Sequence, residues 1–460
     1  MNQFEEYKKK YGHLSSDEKE MRRKFYTYLD EQNMMLEAVT SSSSSAVSGG
    51  GGGGTKPRPV PNFSVGQFIT SWKTDNAGTS GSTQIQLPLV QNGDYYFQVS
   101  WGDGNVDIIQ SWDQKEARHT YATAGTYTVT IGGTFKGFIF NNGGDRLKLL
   151  AVSQWGTSFT IQSGSFSGCS NMTISATDLP IIENLNSTFA SCSSLTTIPN
   201  VNSWNISQVK DMSACFSSMP FNADISAWDT SNVIGMFAVF SGNSAFNQPI
   251  GSWNTSKVQY MNWMFYFASS FNQNIGSWDL SSCTSISVMF NGSAFNNGGS
   301  PSINNWNVSK CTDFNILFRQ TPFNQPIGNW DVSKVTFFRS VFRDSPFNQD
   351  ISSWNTASAD FMADMFLNTS FNQDISRWNY QKVYTMSRFL STYSSFSVAN
   401  YNKLLLALAA SPTLVRNVPF SCSARYSSTG TGNKVDDPAA ARAYIISTYT
   451  WSISDGGLQP

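Results

Sequence analysis

Between residues 200 and 390 the apolar positions form a comb. Trp204, Trp228, Trp253, Trp278, Trp306, Trp330, Trp354 and Trp378 stand 24, 25, 25, 28, 24, 24 and 24 residues apart, and the one long step holds the insertion "NNGGSPS" after Phe295. Twelve residues after each Trp comes Phe216, Phe240, Phe265, Phe290, Phe318, Phe342, Phe366 and finally Leu390, so the register holds in every unit. A fixed period of this length predicts repeats that stack, because no single unit has enough apolar surface to fold alone.

Each unit reads as one short strand and one short helix. After the Trp comes Asn or Asp and then Ser, as at Ser207, Ser231, Ser256 and Ser333, residue types that accept from the free N–H groups of a starting helix. Val258, Met261, Met264 and Phe265 then fall on one face of a 3.6-residue turn. In "FNQPI", Phe246 and Ile250 lie on one side of an extended segment. Columns of Phe, Trp and Met are accordingly expected to be core ladders rather than a cofactor box.

Three more segments flank the comb. At residues 1–39, Ser15 and Glu18 have capping-box spacing, and Met21, Phe25, Tyr28 and Met35 form a short heptad-like seam, predicting an amphipathic helix that pairs with itself or docks on another protein. Residues 40–62 are a Ser-, Gly- and Pro-rich linker. Across 63–140, "YYFQVSWGDG" and "HTYATAGTYTVTIGG" alternate apolar and polar residues around glycines, the pattern of a β-sandwich. A cap is expected at 397–460 to close the apolar end of the array.

The segments "FNQPIGSWNTSKVQYMNWMF" and "FNQDISSWNTASADFMADMF" resemble the repeat of mycoplasma-type lipoproteins and BspA-type leucine-rich-repeat surface proteins. "GSFSGCSNMTI" and "STFASCSSLTTIP" resemble the related treponemal leucine-rich repeat, the run from "YNKLLLALAA" resembles the cap of such arrays, and the strings at Tyr95 and His119 resemble the polycystic-kidney-disease (PKD) type of immunoglobulin-like domain. These resemblances imply an α/β leucine-rich-repeat-like solenoid over 141–396, preceded by an Ig-like PKD-type sandwich and an N-terminal helix. They imply a surface-exposed adhesion or binding module without enzymatic activity. In the PKD-like resemblance Trp101 and Tyr127 are core, and Gly102, Asp103 and Gly104 make a tight turn.

Charge narrows the partners. Residues 1–38 carry 15 of the 61 Asp, Glu, Lys and Arg, and the rest of the chain is near neutral, without the basic face that nucleic acid requires. No apolar run approaches a membrane span; the best is "LLLALAA" at Leu404. The N-terminus lacks the apolar core of a secretory signal, which favours a virion location over classical export.

Candidate chemistry is sparse. Only His13 and His119 exist, too few for a histidine triad or a multi-histidine metal site within the repeats, and "GGGGGGTKP" lacks the Gly-Lys-Ser/Thr of a phosphate loop, so neither cofactor nor metal is expected. Cys169, Cys192 and Cys215 are 23 residues apart, and Cys283 and Cys311 share a column, which fits small buried thiols or an inter-rung staple. Asp224, Asp350 and Asp374 share a column with Pro249, Asn274 and Pro326, which argues against a glycosidase pair. Asn222, Asn247, Asn272, Asn324, Asn348 and Asn372 recur one residue after the inward Phe. With Asp350 and Asp374 they could meet sugar hydroxyls along the sheet face, or instead bond to neighbouring units as a structural ladder.

The expected function is a displayed, virion-associated adhesion or receptor-binding protein. Its repeats would contact a host-surface glycan or protein, and residues 1–39 a particle or surface structural protein or a second copy of the chain. The alternatives are a cellular surface adhesin exported by another route and an intracellular interaction scaffold.

Overall fold

Strand alternation is realised from Phe68 onward. The computed structural model describes residues 63–391 and 395–459; the expected helix at 1–39, with Met21, Phe25, Tyr28 and Met35, and the linker at 40–62 lie outside the described residues. Strands β1 (Phe68–Lys73), β2 (Gln84–Gln86), β3 (Leu89–Ser100), β4 (Val106–Ile109), β5 (Arg118–Thr120) and β6 (Thr126–Phe138) come first, followed by β7 (Leu149–Gln154), β8 (Thr160–Ile161), β9 (Thr173–Ile174) and β10 (Ile181–Ile182). In β1, Phe68, Thr70 and Trp72 are buried and the residues between them are partly exposed, as a period of two requires.

The main sheet has six strands in the order β4-β3-β6-β1-β7-β9, and β2 pairs with β5 separately. A sandwich complete within 63–140 is therefore corrected: β7 and β9 come from beyond residue 140. The physical reason is the edge of β1, which would be left unpaired; β7 runs antiparallel to it and β9 parallel to β7. Asp145 fastens β2 to this edge, accepting from the N–H groups of Thr79, Ser80 and Gln86 at 2.8, 2.9 and 2.8 Å, and fully buried Lys148 donates to the carbonyls of Gly81 and Gln84.

The repeats depart from the strand-helix solenoid of leucine-rich-repeat type, and that expectation is corrected. No α-helix lies among the described residues before 398, and the repeats are built from turns joined by single parallel bridges, such as Asp211 to Gly235, Gly235 to Tyr260 and Tyr260 to Ser285. The segment read as a helix carries two left-handed residues four apart in each rung from that of Trp204 to that of Trp354, for instance Trp263 (φ 61°) and Phe267 (φ 51°). Left-handed residues interrupt an α-helix. Alternate N–H groups then point to the next rung, Ala238 to Asn262 at 2.9 Å, Phe240 to Met264 at 2.9 Å and Gly242 to Tyr266 at 2.7 Å, while Ser241 and Asn243 close turns onto Ala238 and Phe240. Likewise the residues read as helix caps are Asx turns: Asn205, Asp229 and Asn254 accept from the N–H of Ser207, Ser231 and Ser256.

The array ends on a mixed C-terminal segment. Strand β11 (Met386–Leu390) leads through helix α1 (Val398–Ala410) to β12 (Pro419–Cys422), helix α2 (Pro438–Tyr449) and β13 (Ser452–Ser454), and the three strands pair in parallel. Ser397 caps α1, which buries Tyr401, Leu404, Leu405 and Leu408, and α2 buries Ala441 and Ile445. The described residues form one compact unit.

Candidate functional site

Most columns of the repeat are consumed by the fold. Each Trp indole from Trp228 to Trp378 donates its Nε1–H to the rung before, as Trp253 to the Ile225 carbonyl at 3.1 Å and Trp330 to that of Ile303 at 2.9 Å. The Phe columns stack, with Phe240 and Phe265 centroids 5.6 Å apart between rungs and Phe240 and Phe246 3.7 Å apart within one. These rings are fully buried.

The Asn residues singled out from the sequence form one continuous chain of hydrogen bonds. The side-chain oxygen of Asn222 accepts from the Asn247 N–H at 3.0 Å, that of Asn247 from Asn272 at 3.0 Å, that of Asn324 from Asn348 at 2.9 Å and that of Asn348 from Asn372 at 2.8 Å. Asn296, which falls in the long step and was missed, joins Asn272 to Asn324. A Gln on the next rung shares most of these oxygens, as Gln349 shares that of Asn324 at 3.1 Å. Asp350 and Asp374 lie near this column but turn to their own loops, accepting from the N–H of Ser352 and Ser376. The Ser352 N–H and hydroxyl hold the Asp350 carboxyl below its usual range. Partial burial works against the charge on Asp374, yet the Lys403 ammonium at 2.9 Å and Ser376 outweigh it and hold its carboxyl down to about 2.

A different face of the array is outward and irregular. Ten residues after the Trp, successive rungs carry Ala214, Ala238, Trp263, Val288, Ile316, Ser340, Asp364 and Arg388, all with φ between 51° and 61°; Arg388 is exposed, Trp263 and Ile316 are partly so, and the other five are buried. Fourteen residues after it they present Ser218, Gly242, Phe267, Gly292, Gln320, Asp344 and Asn368. The flanking core positions hardly change from rung to rung, whereas these change in size, polarity and charge. Left-handed φ is costly for β-branched Val288 and Ile316. The inter-rung bonds from their N–H groups to Asn315 and Arg339, both at 2.8 Å, hold them there.

This face carries exposed aromatics and paired charges. Tyr260 and Phe267 are 50% and 46% exposed, and the rings of Trp263 and Phe267 each lie 4.5 Å from that of Tyr266. Further along, Arg388 pairs with Asp364 at 2.7 Å and Arg343 with Asp344 at 3.2 Å. A search for recurring residues passes over such a face; the sequence signal for it is the set of columns where neighbouring units disagree.

Catalytic groupings are sparse. Among the described residues no cluster of three or more His, Cys, Asp and Glu side chains is placed to hold a metal. His119 packs its ring 4.9 Å from that of Trp101 and meets Asp103 at 2.8 Å, and Asp103 also accepts from the Asn105 N–H to close its turn. The six cysteines are buried free thiols. No helix among the described residues is long and apolar enough to cross a membrane.

Fold and face together define a protein of stacked, turn-built repeats with a constant interior and a varied exterior. The family model described as "Mycoplasma protein of unknown function, DUF285" matches this chain over residues 183–301 and 294–403, just under half its length. The matched span is the Trp-bearing array, which supports the similarity to mycoplasma-type repeats and extends to neither the sheet before it nor the end of the C-terminal segment. No curated protein and no solved structure matches the chain.

Proposed function

We propose that this chain is a non-enzymatic recognition protein, displayed on a virion or other surface, that binds its target through the irregular outward face of the repeats. The observation that carries this reading is the division of labour between columns: hydrogen bonds and stacked rings occupy the constant positions, and the positions ten and fourteen residues after each Trp take side chains as different as Trp263, Asp364 and Arg388. The exposed members of these columns, Phe267 and Arg388 among them, together with exposed Tyr260 suit a contact surface. The scarcity of histidine supports the non-enzymatic part.

Residues 1–39 are the proposed attachment segment, to a particle protein or to a second copy of the chain, because their charge density and the seam of Met21, Phe25, Tyr28 and Met35 contrast with the neutral remainder. The linker at 40–62 would let the array search for its target. Mass spectrometry of purified particles and of surface fractions tests the location.

Binding of the full chain to intact cells, read by flow cytometry, tests the recognition reading. Tyr260→Gly and Phe267→Gly copy residues that the preceding rung already carries there, Gly235 and Gly242, so the fold should persist. Loss of cell binding with unchanged melting supports the reading. Full binding by both variants, or none by the wild type, overturns it.

A further inference from the structure

We propose that the side-chain amide of Gln114 guards the open edge of the main sheet and keeps β4 from pairing with β4 of a second copy of the chain. β4 stands at the end of the strand order, beside β3. Its antiparallel register with β3, continued by the bond from the Trp101 N–H to the Asn105 carbonyl at 3.1 Å, turns the backbone of Asn105, Asp107 and Ile109 toward β3. By alternation the N–H and C=O groups of Val106, Ile108 and Gln110 point outward. Gln114 meets two of them, accepting from the Gln110 N–H at 2.9 Å and donating to the Ile108 carbonyl at 2.7 Å. Those are the two bonds that one residue of a parallel neighbouring strand would make on either side of Ile109.

The edge is otherwise adhesive. Val106 and Ile108 are 48% and 47% exposed and share one face of the strand, β-branched residues beside outward backbone groups. Sheet edges are commonly closed by Lys, Pro or an exposed charge, but β4 reads Val-Asp-Ile-Ile, and its one charge, Asp107, accepts from the Trp101 indole at 2.8 Å. Gln114 is held in place by its own backbone, whose N–H donates to the Ser111 carbonyl and whose carbonyl accepts from the Ala117 N–H at 3.0 Å. A second copy is the occupant that this edge fits. An antiparallel pair centred on Ile108 sets that residue opposite its counterpart and Val106 opposite Gln110, without bringing two Asp107 carboxylates face to face. A net charge of −1 opposes such a pair little.

Analytical ultracentrifugation of the full chain over a wide range of concentration tests the guard. Gln114→Ala should self-associate at concentrations about tenfold or more below the wild type, beyond any association that both chains share, and adding Ile108→Lys should abolish the difference. Gln114→Ser, equally too short to reach β4, replaces it should Gln114→Ala fail to fold. Amide hydrogen exchange resolved to single residues locates the contact. In the wild type the Gln110 N–H should exchange more slowly than the outward N–H of Ile108, and in the variant both should slow as concentration rises. Association of the variant equal to that of the wild type, an increase that Ile108→Lys leaves in place, or a wild-type Gln110 N–H as fast as that of Ile108 overturns the proposal.

Discussion

Replacing Trp330 by Phe and comparing the result with the same change at Trp204 isolates what the indole ladder contributes. Trp330 is 3% exposed and donates Nε1–H to the Ile303 carbonyl at 2.9 Å. That carbonyl also accepts from the Trp306 N–H at 3.1 Å, so losing the indole leaves it partly satisfied, and the hydrogen bond should be worth about 1 kcal/mol. The smaller ring adds a cavity term of similar size, for a total of about 2 kcal/mol. Trp204 is equally buried, but its Nε1 has no hydrogen-bond partner among the described residues. Phe there opens the same cavity while removing an unsatisfied donor, so the terms nearly cancel, to about 0 to 1 kcal/mol. Urea unfolding followed by circular dichroism gives both values, with equal slopes as the condition for comparing midpoints. Equal losses at the two positions would show that the ring's volume, not its N–H, holds the rungs together.

Three further outcomes are expected. Asn324→Ala with Asn348→Ala removes acceptors from the N–H groups of Asn348 and Asn372 and should cost about 2 to 4 kcal/mol, whereas Asn324→Asp keeps its acceptor and should cost far less; unchanged melting with lost cell binding would make the column a contact surface instead. The Asp374 carboxyl, held down to about 2 against about 3.9 for an unfolded Asp, adds stability that is complete above about pH 4 and lost as pH falls through about 2. Both partners are partly exposed and the effect is therefore salt-screened, so a Lys403→Met variant whose melting point falls on acidification as far as the wild type's would refute it. Burial pushes the Cys192 and Cys422 thiols up to about 12 and raises those of Cys169 and Cys215 well above the usual thiol range, so a thiol reagent should label these residues only in denaturant; rapid labelling of them in the native state counts against the packing.

The period, the columns and the burial of their rings were legible in the sequence because a repeat writes its core many times over. Secondary structure was not. Val258, Met261, Met264 and Phe265 have the spacing of a helical face, but turns closed by bonds to the third residue back share that spacing, and the choice is made by bonds to a rung 24 or 25 residues away. The left-handed positions that break the helix are held by Trp263, Val288 and Ile316, residues that advertise no such backbone. Asn205 and Ser207 could be read as a helix start only if a helix followed; without one the same atoms make an Asx turn. The sandwich boundary was set where the pattern changed, and nothing local marks β7 as the partner of β1. The outward face was missed for the opposite reason from the ladders: it is visible only as disagreement among otherwise matching units.

The backward-pointing indoles and the Asn chain give the array a direction of growth. When a rung leaves the ribosome, its Trp N–H and the N–H after its Phe meet acceptors already set in the rung before, as Trp253 meets Ile225 and Asn247 meets Asn222. The six-stranded sheet, which takes in β7 and β9, precedes the Trp-bearing rungs in the chain. Each new rung can thus begin to condense as it is synthesised, and a chain that stalls midway carries an ordered stack whose last rung still lacks the partners of its forward-pointing N–H groups.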